Sequence, residues 1–257
     1  MTIAIEATTR LWRDVARTEL LGTAVKVTDQ QFPRVFEATK LAATALRVRA
    51  PMVFAAPNTS IKVRVLGTDD APHLIVNLEL AEKLDDTELL AAIAHELAHI
   101  QNGHLLYATA LHYLNNSAVF FVRWIVQPAI MTLQAWSRRA EVTCDRASLL
   151  AVKDLDKTLA AMVRLELGPT GGKDDHGKDD RSTFNAEEYL KAMPDPSKGF
   201  GRMAELFRSH PYLPKRVQAL RLFAGSELYA RVLGQDPAGK PSLQEIDKQV
   251  AALISVI

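Results

Sequence analysis

Residues 85–101 read DDTELLAAIAHELAHIQ, and the rest of the chain is organised around this stretch. Leu89, Leu90, Ile93, Ala94, Leu97 and Ile100 recur at helical spacing. Asp86, Thr87 and Glu88 place acceptors and negative charge at a helix start, where N–H groups lack partners and the dipole favours anions. Asn102-Gly103 is a suitable helix end. Inside this helix His95-Glu96-Leu97-Ala98-His99 has the pattern H-E-x-x-H. Residues four apart share a helix face, so both imidazoles can reach one ion, and neutral imidazole is a good ligand for Zn²⁺. Glu96 turns about 100° from His95 and can address a water on that ion. The plain alternative is two surface histidines beside a helical glutamate. The small apolar flanks argue against it, because unpaired buried histidines are costly.

A catalytic zinc needs a third protein ligand and an open position. His104 follows His99 by five residues. The pattern H-E-x-x-H-x-x-G-x-x-H wants glycine three and histidine six after His99, where this chain has Asn102 and Leu105. A second candidate lies in residues 137–146, SRRAEVTCDR. Glu141 and Asp145 are four apart on a helix. One carboxylate can bind metal while the other accepts a hydrogen bond from a ligand imidazole and fixes its orientation. A solvated face paired with Arg138 and Arg139 is the competing reading.

Working outward, Met52–Ala55 is a short strand candidate. Residues 61–66, IKVRVL, alternate apolar and basic as an edge strand does, with Lys62 and Arg64 guarding the edge or a peptide adding to it. Residues 68–72 form a turn, and 73–78, HLIVNL, read as a more deeply buried strand. Helical spacing covers parts of 10–48 and then 105–114, 119–134, 137–152, 155–167, 186–192, 203–207, 213–223, 226–233 and 243–253. Residues 168–182, GPTGGKDDHGKDDRS, read as a mobile loop. The fold class expected is α+β: mostly helical, with a small mixed β-sheet beside the H-E-x-x-H helix. Residues 1–257 are read as one domain, with helices over 1–50 at its start.

The 257 residues are 48% hydrophobic and 24% charged, which excludes a disordered chain and a small disulfide scaffold. Lys and Arg number 31 against 30 Asp and Glu, so no strong field recruits nucleic acid. The one cysteine, Cys144, closes no internal disulfide and reads as a small buried residue. The start of the chain lacks a secretory pattern, and residues 117–133 hold 17 positions interrupted by Arg123, Gln127 and Pro128, short of a convincing membrane span. The location expected is cytoplasmic, with peripheral membrane association as the alternative. Phe120, Phe121 and Trp124 read as core, or else as an apolar patch for a partner or bilayer surface. His73, His104 and His112 read as packing or surface histidines.

Taken together, HELAHIQNGHLLY, WSRRAEVTCDRA and the late SHPYLPKRVQAL resemble the HtpX-like and CAAX-prenyl-protease-like zinc endopeptidases of metallopeptidase family forty-eight, in their soluble branch. The resemblance runs over roughly residues 50–220. It implies a zincin-like fold, a zinc ion, Glu141 as third ligand, Asp145 as an orienting carboxylate, and His210 and Arg216 near the reaction centre. It also implies hydrolysis of internal peptide bonds in unfolded or extended protein substrates. Glu96 would take the proton of the attacking water and pass it to the leaving amine, while His210 would donate to the developing oxyanion. A closed zinc site in a chaperone-like or interaction protein is the competing function, and Glu96 counts against it, since structural zinc has no use for a base. Two departures from the family pattern stand out. HtpX-like members carry transmembrane helices, and the Asn-Ala-Phe/Tyr-Ala of many relatives is Asn58-Thr-Ser-Ile in this chain.

Overall fold

The computed structural model describes residues 24–57, 61–68, 70–108, 111, 120–167, 188, 189, 192, 205 and 208–255; of 120–126 and 129 only the backbone is described. Strands β1 (Val25–Lys26), β2 (Met52–Ala56), β3 (Val63–Thr68) and β4 (Ala71–Asn77) form one sheet in the order β1-β2-β4-β3. β2 runs parallel to β4, whereas β1–β2 and β3–β4 are antiparallel, so the sheet is mixed. β4 is central and nearly wholly buried, and β3 lies at the edge, as the two hydrophobic patterns predict. The β3–β4 hairpin needs glycine at position 67. Its φ is 116°, and a Cβ there would come within 2.4 Å of the Ala71 carbonyl oxygen.

Helix α1 (Pro33–Leu46) precedes β2. The short α2 (Leu78–Lys83) follows β4 directly, so the strand read as ending at Leu78 ends one residue earlier. The Asn77 side chain stops it by accepting the Leu80 N–H at 3.0 Å. Helix α3 (Asp86–Gln101) opens with a full capping box: Asp85 accepts the Glu88 N–H, and the Glu88 carboxylate accepts the Asp85 N–H. It ends at Asn102-Gly103, where Gly103 takes a φ of 65°.

Helix α4 (Phe120–Val152) is a single element of 33 residues, about 50 Å long by the usual rise. This corrects the expectation of two helices, 119–134 and 137–152. Gln134 to Ser137 contains neither glycine nor proline, and Trp136 packs edge-on to His104, so nothing there ends the helix. Helices α5 (Leu155–Leu167), α6 (Leu213–Ala224), α7 (Glu227–Val232) and α8 (Leu243–Ile254) follow. Among the described residues no helix is long and apolar enough to cross a membrane. The expected helix over 10–21 and the loop 168–182 lie outside the described residues, as do His112 and most of 186–192 and 203–207.

Two apolar clusters form the interior. The larger joins the inner sheet face, α1 and α3, and includes Val65, Leu74, Leu89, Ile93, Leu97 and Cys144. The second joins α5, α6 and α8 to the far face of α4, through Val142, Leu149, Val163, Leu220 and Phe223. Helix α4 therefore faces both, with Cys144 in one cluster and Val142 in the other. Helix α3 is pinned against α4 by the Ser148 hydroxyl, which donates to the Ala91 carbonyl at 2.7 Å. The architecture is α+β, as the sequence predicts.

Candidate metal centre

Helix α3 presents His95 and His99 on one face toward α4, which presents Glu141 and Asp145 one turn apart. His95 Nε2 lies 3.3 Å from Glu141 Oε2, and His99 Nε2 lies 3.6 Å from Glu141 Oε1. One donor atom from each of these residues falls within 4.8 Å of the others, and all three are buried. Behind this group, His95 Nδ1 is 2.9 Å from Asp145 Oδ1. That contact leaves Nε2 facing Glu141. Asp145 is gripped in turn by Arg216, whose Nε and Nη2 donate to its two oxygens at 2.8 and 2.6 Å. Arg216 also approaches Glu141 at 3.5 Å. The structure thus brings Glu96, His95, His99, Glu141, Asp145, His210 and Arg216 together.

The acids and bases of this group shift one another strongly. Burial alone would raise the Glu141 carboxyl, but His210, the two ring hydrogen bonds and Arg216 hold it well below the usual carboxylate range. Burial likewise works against a charged His95, yet hydrogen bonds to Asp145 and Glu141 raise it to about 10. Two imidazole nitrogens and one carboxylate are a donor set suited to Zn²⁺. The imidazoles are not braced alike: His99 Nδ1 is buried without a hydrogen-bond partner among the described residues.

Glu96 stands beside the group. Its Oε2 accepts the Val65 N–H of the edge strand at 2.8 Å. That amide points away from β4, so the outer edge of β3 faces the same cleft as Glu96. His210 Nε2 lies 3.3 Å from Glu141 Oε1, and its Nδ1 is 2.7 Å from the Ser209 hydroxyl. A serine donating there suits the tautomer with the proton on Nε2. Desolvation outweighs the pull of Glu141 and lowers the His210 pKa to about 4.

His104 and Cys144 form a neighbouring pair, with Sγ 3.8 Å from Nδ1. A nitrogen of His99 joins them in a second set of close donor atoms. Burial pushes the Cys144 thiol well above its ordinary range, as befits an inert buried residue. His73 is buried in β4 and stacks on Phe54.

The brackets around His210 escaped the sequence reading. Arg138, buried one turn before Glu141 on α4, donates to the carbonyls of Glu205 and Arg208 at 3.2 and 3.0 Å. The Glu205 carboxylate, fully buried, meets Lys215 at 2.6 Å and accepts the Tyr212 N–H at 3.3 Å. These contacts join residues 67 and 70 positions apart in the first case, and only a spacing of charged residues marks them in the sequence.

Residues 65–224 match the peptidase family M48, more than half of the chain. The plastoglobule-localized metallopeptidase 48 of Arabidopsis thaliana chloroplasts is 28% identical over 220 residues, covering 84% of this chain and 64% of its own length. Protease HtpX of Hydrogenovibrio crunogenus is 28% identical over 181 residues, covering 63% of this chain and 60% of that protein. Protease HtpX of Buchnera aphidicola is 24% identical over 176 residues, 59% and 60% of the two chains. The chain thus spans less than two thirds of the length of these relatives. No solved structure matches it. The chain belongs to peptidase family M48.

Proposed function

We propose that this protein is a zinc-dependent endopeptidase that cuts internal bonds of extended or unfolded polypeptides. The observation that carries the reading is the meeting of His95, His99 and Glu141 within reach of one ion, with Glu96 alongside. The names of its relatives, a metallopeptidase and proteases, support it. His95, His99 and Glu141 would hold the metal. When bound, zinc lowers the pKa of a water and polarises the scissile carbonyl. The chain's own groups do the rest. Asp145 keeps the His95 proton on Nδ1 and so presents Nε2 to the ion. Arg216 keeps Asp145 ionised.

Glu96 takes the proton of the attacking water and delivers it to the leaving amine. The Val65 N–H on Oε2 sets its orientation before substrate arrives. His210, its Nδ1 met by the Ser209 hydroxyl, offers its Nε2–H to the oxygen that gathers charge, and removing such a donor typically costs about 10²–10³ in rate. The outer edge of β3 beside Glu96 suits an extended peptide bound through main-chain hydrogen bonds.

The test is cleavage of an unfolded protein such as casein, with metal content measured on the same samples. Glu96→Gln should retain about one zinc per chain and lose roughly 10²–10⁴ of the rate. Equal rates in the two proteins would reject the assignment of Glu96. Suppressed aggregation of a client without cleavage, unchanged in Glu96→Gln, would favour a closed zinc site in a chaperone-like protein.

A further inference from the structure

The cleft beside Glu96 and Glu141 has two lobes of about 210 and 370 Å³, and Arg64 lines both. Four Lys and Arg side chains border them. Three are engaged. Lys62 donates to the Glu166 carbonyl at 2.8 Å, Arg208 lies 3.7 Å from the Glu166 carboxylate, and Arg216 is bound through two hydrogen bonds to Asp145. The fourth, Arg64, has neither an ion pair nor a side-chain hydrogen bond among the described residues. Its neighbours fix its placement. Val63 and Val65 pack into the larger apolar cluster, while Leu66 packs with Ala56 and Ile75 on the other side of the sheet. Alternation puts Arg64 on the side of Leu66, at the strand whose outer edge meets Glu96.

A peptide paired with that edge would set one side chain directly opposite Arg64, with Cβ atoms about 4.5–5.5 Å apart, on the same face. Opposite charges so placed attract, and like charges repel.

We infer that Arg64 selects substrates by binding a carboxylate side chain, Asp or Glu, on the residue that pairs with it beside the cleaved bond. This rests on the peptidase reading above and names the chemistry of its substrates. Arg64, unpaired among the described residues, gives the cleft a charge that a substrate carboxylate would complete. Of the carboxylates here, Glu141 and Glu166 already face cations of the chain itself, and Glu96 accepts the Val65 N–H.

The experiment uses peptides blocked at both ends that differ only in one residue, Glu, Gln or Lys, moved through the positions flanking the cleaved bond. At one position kcat/KM for Glu should exceed that for Gln by about threefold or more, with Lys lowest. Arg64→Gln should bring the Glu-to-Gln ratio near one, Arg64→Glu should turn the preference toward Lys, and Lys62→Gln should leave the ratio as it was. Equal rates for the three peptides at every position, or a preference that survives Arg64→Gln, would overturn the inference. The same peptides bound to Glu96→Gln protein, read by fluorescence anisotropy, separate the two levels of the reading. Preferred binding of Glu without any cleavage by the parent protein would sink the peptidase reading and keep Arg64, and equal binding would sink Arg64. A companion peptide with a free C-terminus is the last arm. A preference that follows the free end and ignores the position of Glu would also overturn the inference.

Discussion

Helix α3 and the segment 208–216 both deliver side chains to Glu141, yet they are fixed in place by different forces. Leu89, Ile93 and Leu97 of α3 are buried among apolar neighbours, and its imidazoles ride on that packing. The segment that carries His210 and Arg216 also buries Leu213 in the second apolar cluster, but its ties to the site are charged: Arg138 on two carbonyls, Lys215 on Glu205, Arg216 on Asp145. Apolar packing is non-directional and forgiving of local adjustment, whereas a buried charge that loses its partner pays the whole cost of desolvation. The candidate site is therefore anchored robustly on one side and conditionally on the other.

The sharpest way to break this contrast is Arg216→Met, which strands Asp145 in the interior. It should cost about 3–5 kcal/mol at neutral pH, measured by urea unfolding of metal-free protein. The pH dependence carries the sign. Burial alone would raise the Asp145 carboxyl, but Arg216 and the His95 contact hold it below its ordinary value. A depressed carboxylate stabilises above its unfolded pKa and loses that contribution as pH falls through the folded one. Without Arg216 only the His95 contact opposes burial, so the Asp145 pKa rises and the deficit of the variant should shrink on acidification. A deficit that stays constant with pH would show that lost packing, not charge, is responsible.

Leu97→Ala tests the apolar side. Leu97 is fully buried, and the truncation should cost about 3 kcal/mol with no change in how stability varies with pH. Asp85→Ala should cost about 1 kcal/mol by removing the cap of α3, and zinc content should not move. A drop in zinc content would mean that the imidazoles depend on the helix start more than on its packing. The smallest effect concerns His104, which burial and the neighbouring His99 lower to about 4. A histidine depressed on folding makes stability fall as pH drops from about 6.5 toward 4, because the unfolded chain binds the proton more readily. His104→Gln should flatten that part of the thermal-melting profile of metal-free protein. An unchanged slope would place the titration elsewhere.

The same contrast explains what could be read in advance. Helix α3 announces itself because its period, its cap at Asp85 and its end at Gly103 are all local. Glu141 and Asp145 were visible as a pair for the same reason, one turn apart on one face. Their assignment to metal and to His95 was not, since spacing alone leaves either carboxylate free to play either part. The family resemblance drew that distinction, and His95 Nδ1 lies 2.9 Å from Asp145 Oδ1. Helix α2 was missed because six residues after a strand are too few for a period to emerge, although Asn77 was its cap in plain view. The break expected between Gln134 and Ser137 falls among polar residues, of which Gln134, Ser137 and Arg138 are buried, and Arg138 holds the carbonyls of Glu205 and Arg208. Arg138 reads as part of a solvated face, and Glu205 and Lys215 draw no reading at all, because nothing local distinguishes an ion pair that is buried only by distant chain.

The unbroken run of α4 has a consequence for how this chain can vary. The helix serves two interiors with opposite faces and hands Glu141 to the imidazoles between them. Adding or deleting one residue between Ser137 and Glu141 would turn everything beyond it by about 100°. The carboxylate would swing from the imidazoles, and Cys144 and Val142 would each point at the wrong neighbours. Length changes in this helix are therefore tolerable toward its start and forbidden across its last four turns.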